Sequence, residues 1–397
     1  MRTHNLGLLL RYVREHPGCS RSDLARATGL TKPGTSKLVG ELVRHGLVAP
    51  FERQADEAFN SARRGRPADG LGLAGDHLRG IGIELRIDHV RAVVTDLDGN
   101  RLGDARLPLQ RHPSPRSAAA RVGRVVRSAL DQAGRPRVFG MGMAIGAGMD
   151  PERKIAVESS WLGWTNVPIH DLVLAELGPG LGPLTIEHAA LVSGLSTSRA
   201  VGCGDNGTLV HFAVGGGAGV GSVVDGRLSD PPRSGFIGHI PVRVGGRRCA
   251  CGRRGCLDTV VGFGALLRAT GGDSEKMFEI DYEEYAREVR ARADRGDRQA
   301  ARAIDRIGTE IGRAVVIILA LTNPDKITIG GYVLELGPRL FRAARAEIAN
   351  HAIPRGSPPR EIEPTPLGAS DAVLGAAALA LDPIFQDPTV AFDTGSI

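Results

Sequence analysis

The chain has 397 residues, 42% hydrophobic and 24% charged, with a formal net charge of +6. That length predicts two or three domains with a substantial core. No apolar run approaches the ~18–20 residues of a membrane span. The opening residues lack a small-residue cleavage site and run at once into a charged helix, so a secretory signal is rejected and a cytoplasmic setting expected. Residues 1–68 hold twelve Arg and Lys against six Asp and Glu, which equals the whole net charge. A basic head on a neutral body points to a polyanion-binding module at the N-terminus.

In that head, Leu6, Leu9, Leu10 and Val13 recur at helical spacing behind Thr3 as cap. A second helix starts at Ser20 or Ser22 and stops at Gly29. A third starts at Thr31, takes Pro33 in its first turn, turns Leu38, Leu42 and Val43 inward and ends at Gly46. Three short helices with a Gly-containing turn before the last form a helix-turn-helix pattern. The stretches "LVAPFERQ" and "GRPADGLGL" then read as the two strands of a wing. Lys32, Thr35, Ser36 and Lys37 lie early on the third helix, where short polar and basic side chains suit major-groove edges and phosphates. Arg63, Arg64 and Arg66 in the wing suit a narrow minor groove. The expected partner is double-stranded operator DNA. A three-helix packing domain with a basic loop is the plainer alternative.

From Leu78 the pattern alternates short β-rich runs with helices, which predicts α/β layers. The hairpin "VTDLDGN" makes the sheets mixed. "VGGGAGVGSVVDG" (214–226) could cradle phosphate through backbone N–H groups, and a tight turn between packed strands would have the same composition. "CACGRRGCLD" places Cys249, Cys251 and Cys256 within eight residues, and His239 lies ten residues before them. Three thiolates and an imidazole are a tetrahedral Zn²⁺ set, and the alternative is a reduced, unliganded loop. Arg247, Arg248, Arg253 and Arg254 are expected to favour the thiolates. Cys19 and Cys203 are isolated and expected to be inert.

These residues resemble the ROK family (repressors, open reading frames and sugar kinases). "SGFIGHIPV…CACGRRGCLDT" resembles its zinc signature, "SSWLGWTNVPI" the segment before its ligand site, and "GRP" the wing of its repressor branch. The resemblance implies a winged helix at 1–75 and a two-lobed actin/hexokinase-like (ribonuclease H-like) α/β body. The lobes are expected at 76–188 and 189–370, with a C-terminal helix at 371–387 returning to the first lobe and a loose tail at 388–397. It also implies a homodimer or homotetramer, and His239, Cys249, Cys251 and Cys256 as zinc ligands.

Departures from the family pattern bear on function. The kinases carry an Asn-Asp pair after a strand-terminal Glu, with the Asp as general base. Here Glu187 is followed by His188 and Ala189, and an Ala methyl accepts no proton. In the first phosphate loop Glu84 replaces an Asp, while Arg86 and Asp88 stand where small residues are needed, Asp88 repelling phosphate. Phe236 replaces a sugar-binding Glu and Asp258 shortens another. The expectation is a regulator without kinase activity, whose small-molecule effector, a sugar or derivative, contacts Trp164, His188, Phe236, His239 and Asp258. An active sugar or amino-sugar kinase and a constitutive DNA-binding protein are the alternatives.

Overall fold

A computed structural model describes residues 1–51, 70–75, 78–202, 207–228, 235–351 and 361–395. Helices α1 (Arg2–Glu15), α2 (Arg21–Thr28) and α3 (Lys32–Arg44) form the N-terminal bundle. The α1 stripe of Leu6, Leu9, Leu10 and Val13 is buried as predicted, although the helix starts at Arg2, behind Met1, and encloses Thr3. At α2, Ser20 and Asp23 cap one another's backbone N–H groups and Gly29 ends the helix in the left-handed region. Thr31 caps α3 by accepting from the Gly34 N–H at 3.3 Å. On α3, Val39 and Leu42 form the inner face and Val43 is 39% exposed, which corrects the predicted stripe by one position. Strands β1 (Val48–Pro50) and β2 (Leu71–Leu73) pair antiparallel as the stem of the wing. Arg63, Arg64 and Arg66 lie outside the described residues.

The first lobe contains β3 (Arg79–Leu85), β4 (His89–Thr95), β5 (Arg101–Pro108), α4 (Pro115–Gln132) and β6 (Val138–Ile145). It continues through a small sheet of β7 (Gly148–Asp150), β8 (Ile155–Ser159) and β9 (Trp164–Val167), then α5 (Ile169–Leu177) and β10 (Leu184–His188). The main sheet has the order β10-β6-β3-β4-β5, with β10, β6 and β3 parallel and β3-β4-β5 an antiparallel meander. It is mixed, as the hairpin predicted.

The second lobe holds α6 (Ala189–Ala200), β11 (Thr208–Val214), β12 (Ala218–Val224), β13 (Arg227–Leu228), α7 (Asp258–Val261), α8 (Phe263–Ala269), α9 (Tyr282–Asp294), α10 (Arg298–Thr322), β14 (Lys326–Gly331), α11 (Pro338–His351) and β15 (Ile362–Pro364). Its sheet order is β13-β12-β11-β14-β15. Each lobe has its own apolar core.

The last helix, α12 (Asp371–Gln386), packs on β3 and β6 of the first lobe and on α6 of the second. The segment Gly368–Gln386 is long and apolar enough to cross a membrane by composition, but most of it is buried among these elements. At its far end, Leu381, Ile384 and Phe385 enter one cluster with Leu6, Leu9 and Leu10 of α1. Residues 388–395 are not a loose tail. They form 3₁₀ turns, Ala391 is buried and Phe392 stacks on His45 at 3.8 Å. The winged helix gives this segment an apolar surface to cover.

Candidate functional site

The two lobes enclose a cleft of about 620 Å³, and strand ends and helix starts from both lobes supply its walls. At the β10–α6 junction His188 becomes the N-cap of α6. Its Nδ1 accepts from the Ala190 N–H at 3.3 Å, which leaves the proton on Nε2. Burial pushes the imidazole down to about 4, so it is neutral at pH 7. Ala189 follows at the first helical position and lines the cleft with a methyl group. Phe236, 40% exposed, meets His188 edge-on at 4.8 Å and lies parallel to His239 at 6.4 Å.

Asp258 opens α7 and is 5% exposed. Its Oδ1 accepts from the Ala218 N–H at 2.7 Å, and its Oδ2 lies 3.5 Å from His239 Nδ1. Burial raises its carboxyl, opposed by the Ala218 bond, His239 and a hydrogen bond from Trp161. Added Cβ atoms at Gly217 and Gly238 would come within 2.6 and 1.9 Å of that carboxylate. Gly217 therefore packs closely against Asp258, Gly219 and Gly221 pack against Ala190 of α6, and the Ala218 amide is taken by Asp258.

The cysteine loop backs this wall. The ligand atoms of His239, Cys249, Cys251 and Cys256 all lie within 4.8 Å of one another. Cys249 Sγ is 3.8 Å from His239 Nδ1, and the Cys251 and Cys256 sulfurs are 3.7 Å apart. Those separations are far beyond the ~2.05 Å of a disulfide. Gly252 and Gly255 take φ of +84° and +77°, which lets the loop fold back on itself. Burial, and not the neighbouring arginines, sets the direction here: it pushes the Cys249 thiol up to about 12 and Cys256 upward as well, so the expected favouring of the thiolates by arginine is absent at these two. A cation among the sulfurs would reverse that, and the four groups could hold a metal ion. Cys19 is buried and its thiol pushed up to about 11, consistent with an inert role; Cys203 lies outside the described residues.

Where the family pattern has small residues in its first phosphate loop, the structure has an ion network. Arg86 bonds Asp88 at 3.0 Å and Glu283 at 2.8 Å, and its guanidinium lies 5.0 Å from the Tyr282 ring centre. Asp88 does not face the cleft to repel phosphate as expected. It turns to the other side, and although burial opposes its ionisation, Arg86 and His89 hold it well below the usual carboxylate range. Glu84 does line the cleft. It is 5% exposed, its Oε2 has no hydrogen-bond partner, and burial pushes it up to about 7.

Two predicted site residues are placed elsewhere. Trp164 is 4% exposed in the first-lobe core and donates from Nε1 to the Pro113 carbonyl at 2.9 Å. It starts β9, whose alternation sends it inward, and Trp161 in the preceding turn lines the cleft instead. Thr35 is fully buried against the bundle, whereas Lys32, Ser36 and Lys37 are exposed on α3. Sequence reasoning missed Asp371 at the start of α12. It lines the cleft and pairs with fully buried His211 at 3.1 Å, which in turn bonds Thr328 at 2.9 Å. Separations of 160 and 117 residues left no local signal.

The xylose repressor of Bacillus spizizenii is 22% identical over 384 residues, 95% of either chain. A glucokinase of Halalkalibacterium halodurans is 30% identical over 230 residues, 55% of this chain and 68% of its own. A crystal structure of a ROK family transcriptional regulator, homologous to the Mlc protein of Escherichia coli, superposes with a TM-score of 0.76 at 22% identity over 99% of both chains. The MarR family profile matches residues 7–58. The ROK family profile matches residues 80–383, and the chain belongs to the ROK family, with a MarR-type winged helix ahead of its sugar-kinase-like body.

Proposed function

We propose that this chain is a cytoplasmic ROK-type transcriptional regulator with a ligand-binding, catalytically silent kinase fold. The carrying observation is the pairing of a winged helix with a cleft whose expected general-base position is Ala189. A methyl group at the head of α6 takes no proton from a sugar hydroxyl. Neutral His188 beside it is committed through Nδ1 to capping α6. Arg86, held by two carboxylates and Tyr282, fills space that a nucleotide phosphate would need.

The cleft suits a small polyhydroxy ligand with an apolar face. His239, Asp258 and His188 offer polar contacts, and Phe236 and Trp161 offer aromatic surface. The metal is zinc in this reading. Two Zn–S bonds of about 2.3 Å would set a tetrahedral S–S edge of about 3.8 Å, and a Zn–S with a Zn–N bond an S–N edge of about 3.6 Å, close to the 3.7 Å between the Cys251 and Cys256 sulfurs and the 3.8 Å from Cys249 Sγ to His239 Nδ1. His239 Nδ1 faces the sulfurs, so the bound ion fixes the ring and its Nε2 remains for the cleft.

Communication runs along α12. Its first residue, Asp371, lines the cleft, and its last turns share a core with α1. A ligand that draws the lobes together shifts the helix on which the DNA-binding domain rests, a two-state population shift. Lys32, Ser36 and Lys37 on α3 and Arg63, Arg64 and Arg66 in the wing read the operator. A homodimer, or a tetramer of such dimers, reads half-sites about one helical turn or a multiple of it apart.

The test couples two assays on the full chain. ADP release is measured across hexoses, pentoses and N-acetylhexosamines, with thermal shift against the same sugars. The expected result is no turnover and one saturable ligand. Clear turnover would establish the kinase reading instead, and no saturable ligand would favour a constitutive DNA-binding protein.

A further inference from the structure

Along one rim the two lobes are joined by charge. The segment that runs from the 3₁₀ turn Ser274–Phe278 into the start of α9 belongs to the second lobe, where Met277, Phe278 and Ile280 pack in or against the core. Three arginines of the first lobe reach this segment: Arg86 just after β3, Arg106 in β5 and Arg111 beyond its end. Arg86 pairs with Glu283 at 2.8 Å, Arg106 with Asp281 at 3.0 Å and Arg111 with Glu275 at 2.5 Å. The Arg111 guanidinium also lies 5.1 Å from the Phe278 ring centre. Beside Arg86, Ile87 packs against the cores of both lobes.

A second contact crosses between the same two lobes. Trp161 of the first lobe packs against the second-lobe core and donates a hydrogen bond to the Asp258 carboxylate. With the Ala218 N–H at 2.7 Å and His239 Nδ1 at 3.5 Å, the indole takes up what that carboxylate can offer. A ligand that uses Asp258 has first to lift Trp161 away. Because each lobe has its own core, parting them loosens the charged rim and the indole contact together. An exposed ion pair contributes little to the stability of one rigid body, but the balance between two placements of two bodies responds to small differences.

We propose that Arg86, Arg106 and Arg111 form a clasp that holds the two lobes at this separation and so keeps Trp161 on Asp258, an autoinhibitory contact that a cleft ligand must displace. Arg86 is the inner, partly buried member, tied to Asp88 as well. Arg106 and Arg111, with side chains 42% and 48% exposed, are the members that salt can weaken. The clasp is a property of the lobes alone and stands whether the cleft serves a regulator or a kinase.

The experiment is quenching of tryptophan fluorescence by acrylamide, a neutral quencher, in the full chain at low and high KCl. The chain has two tryptophans, and Trp164 is 4% exposed, so Trp161 reports the contact. Arg106→Gln and Arg111→Gln together leave Asp88 with Arg86 and His89, and leave Asp281 capping α9 through the Glu284 N–H. At low salt this pair of substitutions should raise the quenching constant about twofold. The unsubstituted chain should approach the same value as KCl rises to about 0.5 M, and the doubly substituted chain should change little. Arg111→Glu should also raise quenching, and adding Glu275→Arg to it should restore the original value, which a merely damaged fold would not do. Trp161→Phe should abolish the rise in every background. The proposal is overturned by quenching unchanged in the doubly substituted chain, by a rise in Arg111→Glu that Glu275→Arg fails to reverse, or by a rise that survives Trp161→Phe.

Discussion

Replacing Glu84 with Gln should change how the stability of the first lobe depends on pH. Glu84 lies one residue before the end of β3 under the cleft, where Arg86 and Arg91 favour its ionisation and Asp371 and Asp88 oppose it, Asp371 being itself held by His211. Burial is the largest influence and pushes the carboxyl from 4.5 up to about 7. The folded chain therefore holds that proton more tightly than the unfolded chain does. The associated stability is fully present below pH 4.5 and is lost as pH rises through about 7. At ~1.4 kcal/mol per pH unit, that interval amounts to about 3 kcal/mol. Gln has the same shape and no proton to lose. His188, pushed down to about 4, works in the opposite direction, losing stability as pH falls below 6.5, but equally in both chains. Denaturant midpoints at matched protein concentration from pH 4 to 8 give the difference between the two chains. That difference should move in favour of Glu84→Gln by about 3 kcal/mol as pH rises. A difference constant across the range would show that Glu84 is not a buried, unpaired acid.

Two further outcomes concern the metal and the DNA. Cys251→Ser should release zinc, counted by elemental analysis of the purified chain, and lower the thermal midpoint; full zinc retention would remove Cys251 from the ligand set. Chelation of the unsubstituted chain should produce the same loss, because a structural metal's binding energy is also folding energy. Replacing Arg64 and Arg66 by Ala should weaken duplex binding and reduce the magnitude of its log–log salt slope by about two. An unchanged slope would mean that the wing makes no phosphate contact.

Local chemistry was legible in the sequence wherever a signal lay within one element. The caps at Ser20 and Thr31, the α1 stripe and the glycine stops all fall where their side-chain chemistry requires. The four-residue His/Cys cluster was legible because Cys249–Cys256 is one tight loop. Orientation within an element was harder. Thr35 and Val43 exchange the predicted exposed and buried roles on α3, since three-helix packing and not polarity chooses the inner face. Trp161 and Trp164 are three residues apart, and only the start of β9 decides which faces the cleft. Contacts between distant segments gave no local signal. Asp371 with His211, Arg86 with Glu283, and residues 388–395 against the winged helix join positions far apart in the chain. The loop containing Arg63, Arg64 and Arg66 lies outside the described residues, so those contacts rest on sequence and charge.

The central claim is that the chain reads DNA as a symmetric assembly and leaves phosphoryl transfer to its relatives. Selection of bound duplexes from a random library by the full-length chain, at physiological salt, tests it most directly. The account predicts enrichment of one roughly palindromic site with half-site centres about one helical turn, or a multiple of it, apart. Recovery of unenriched sequence after repeated rounds would contradict it.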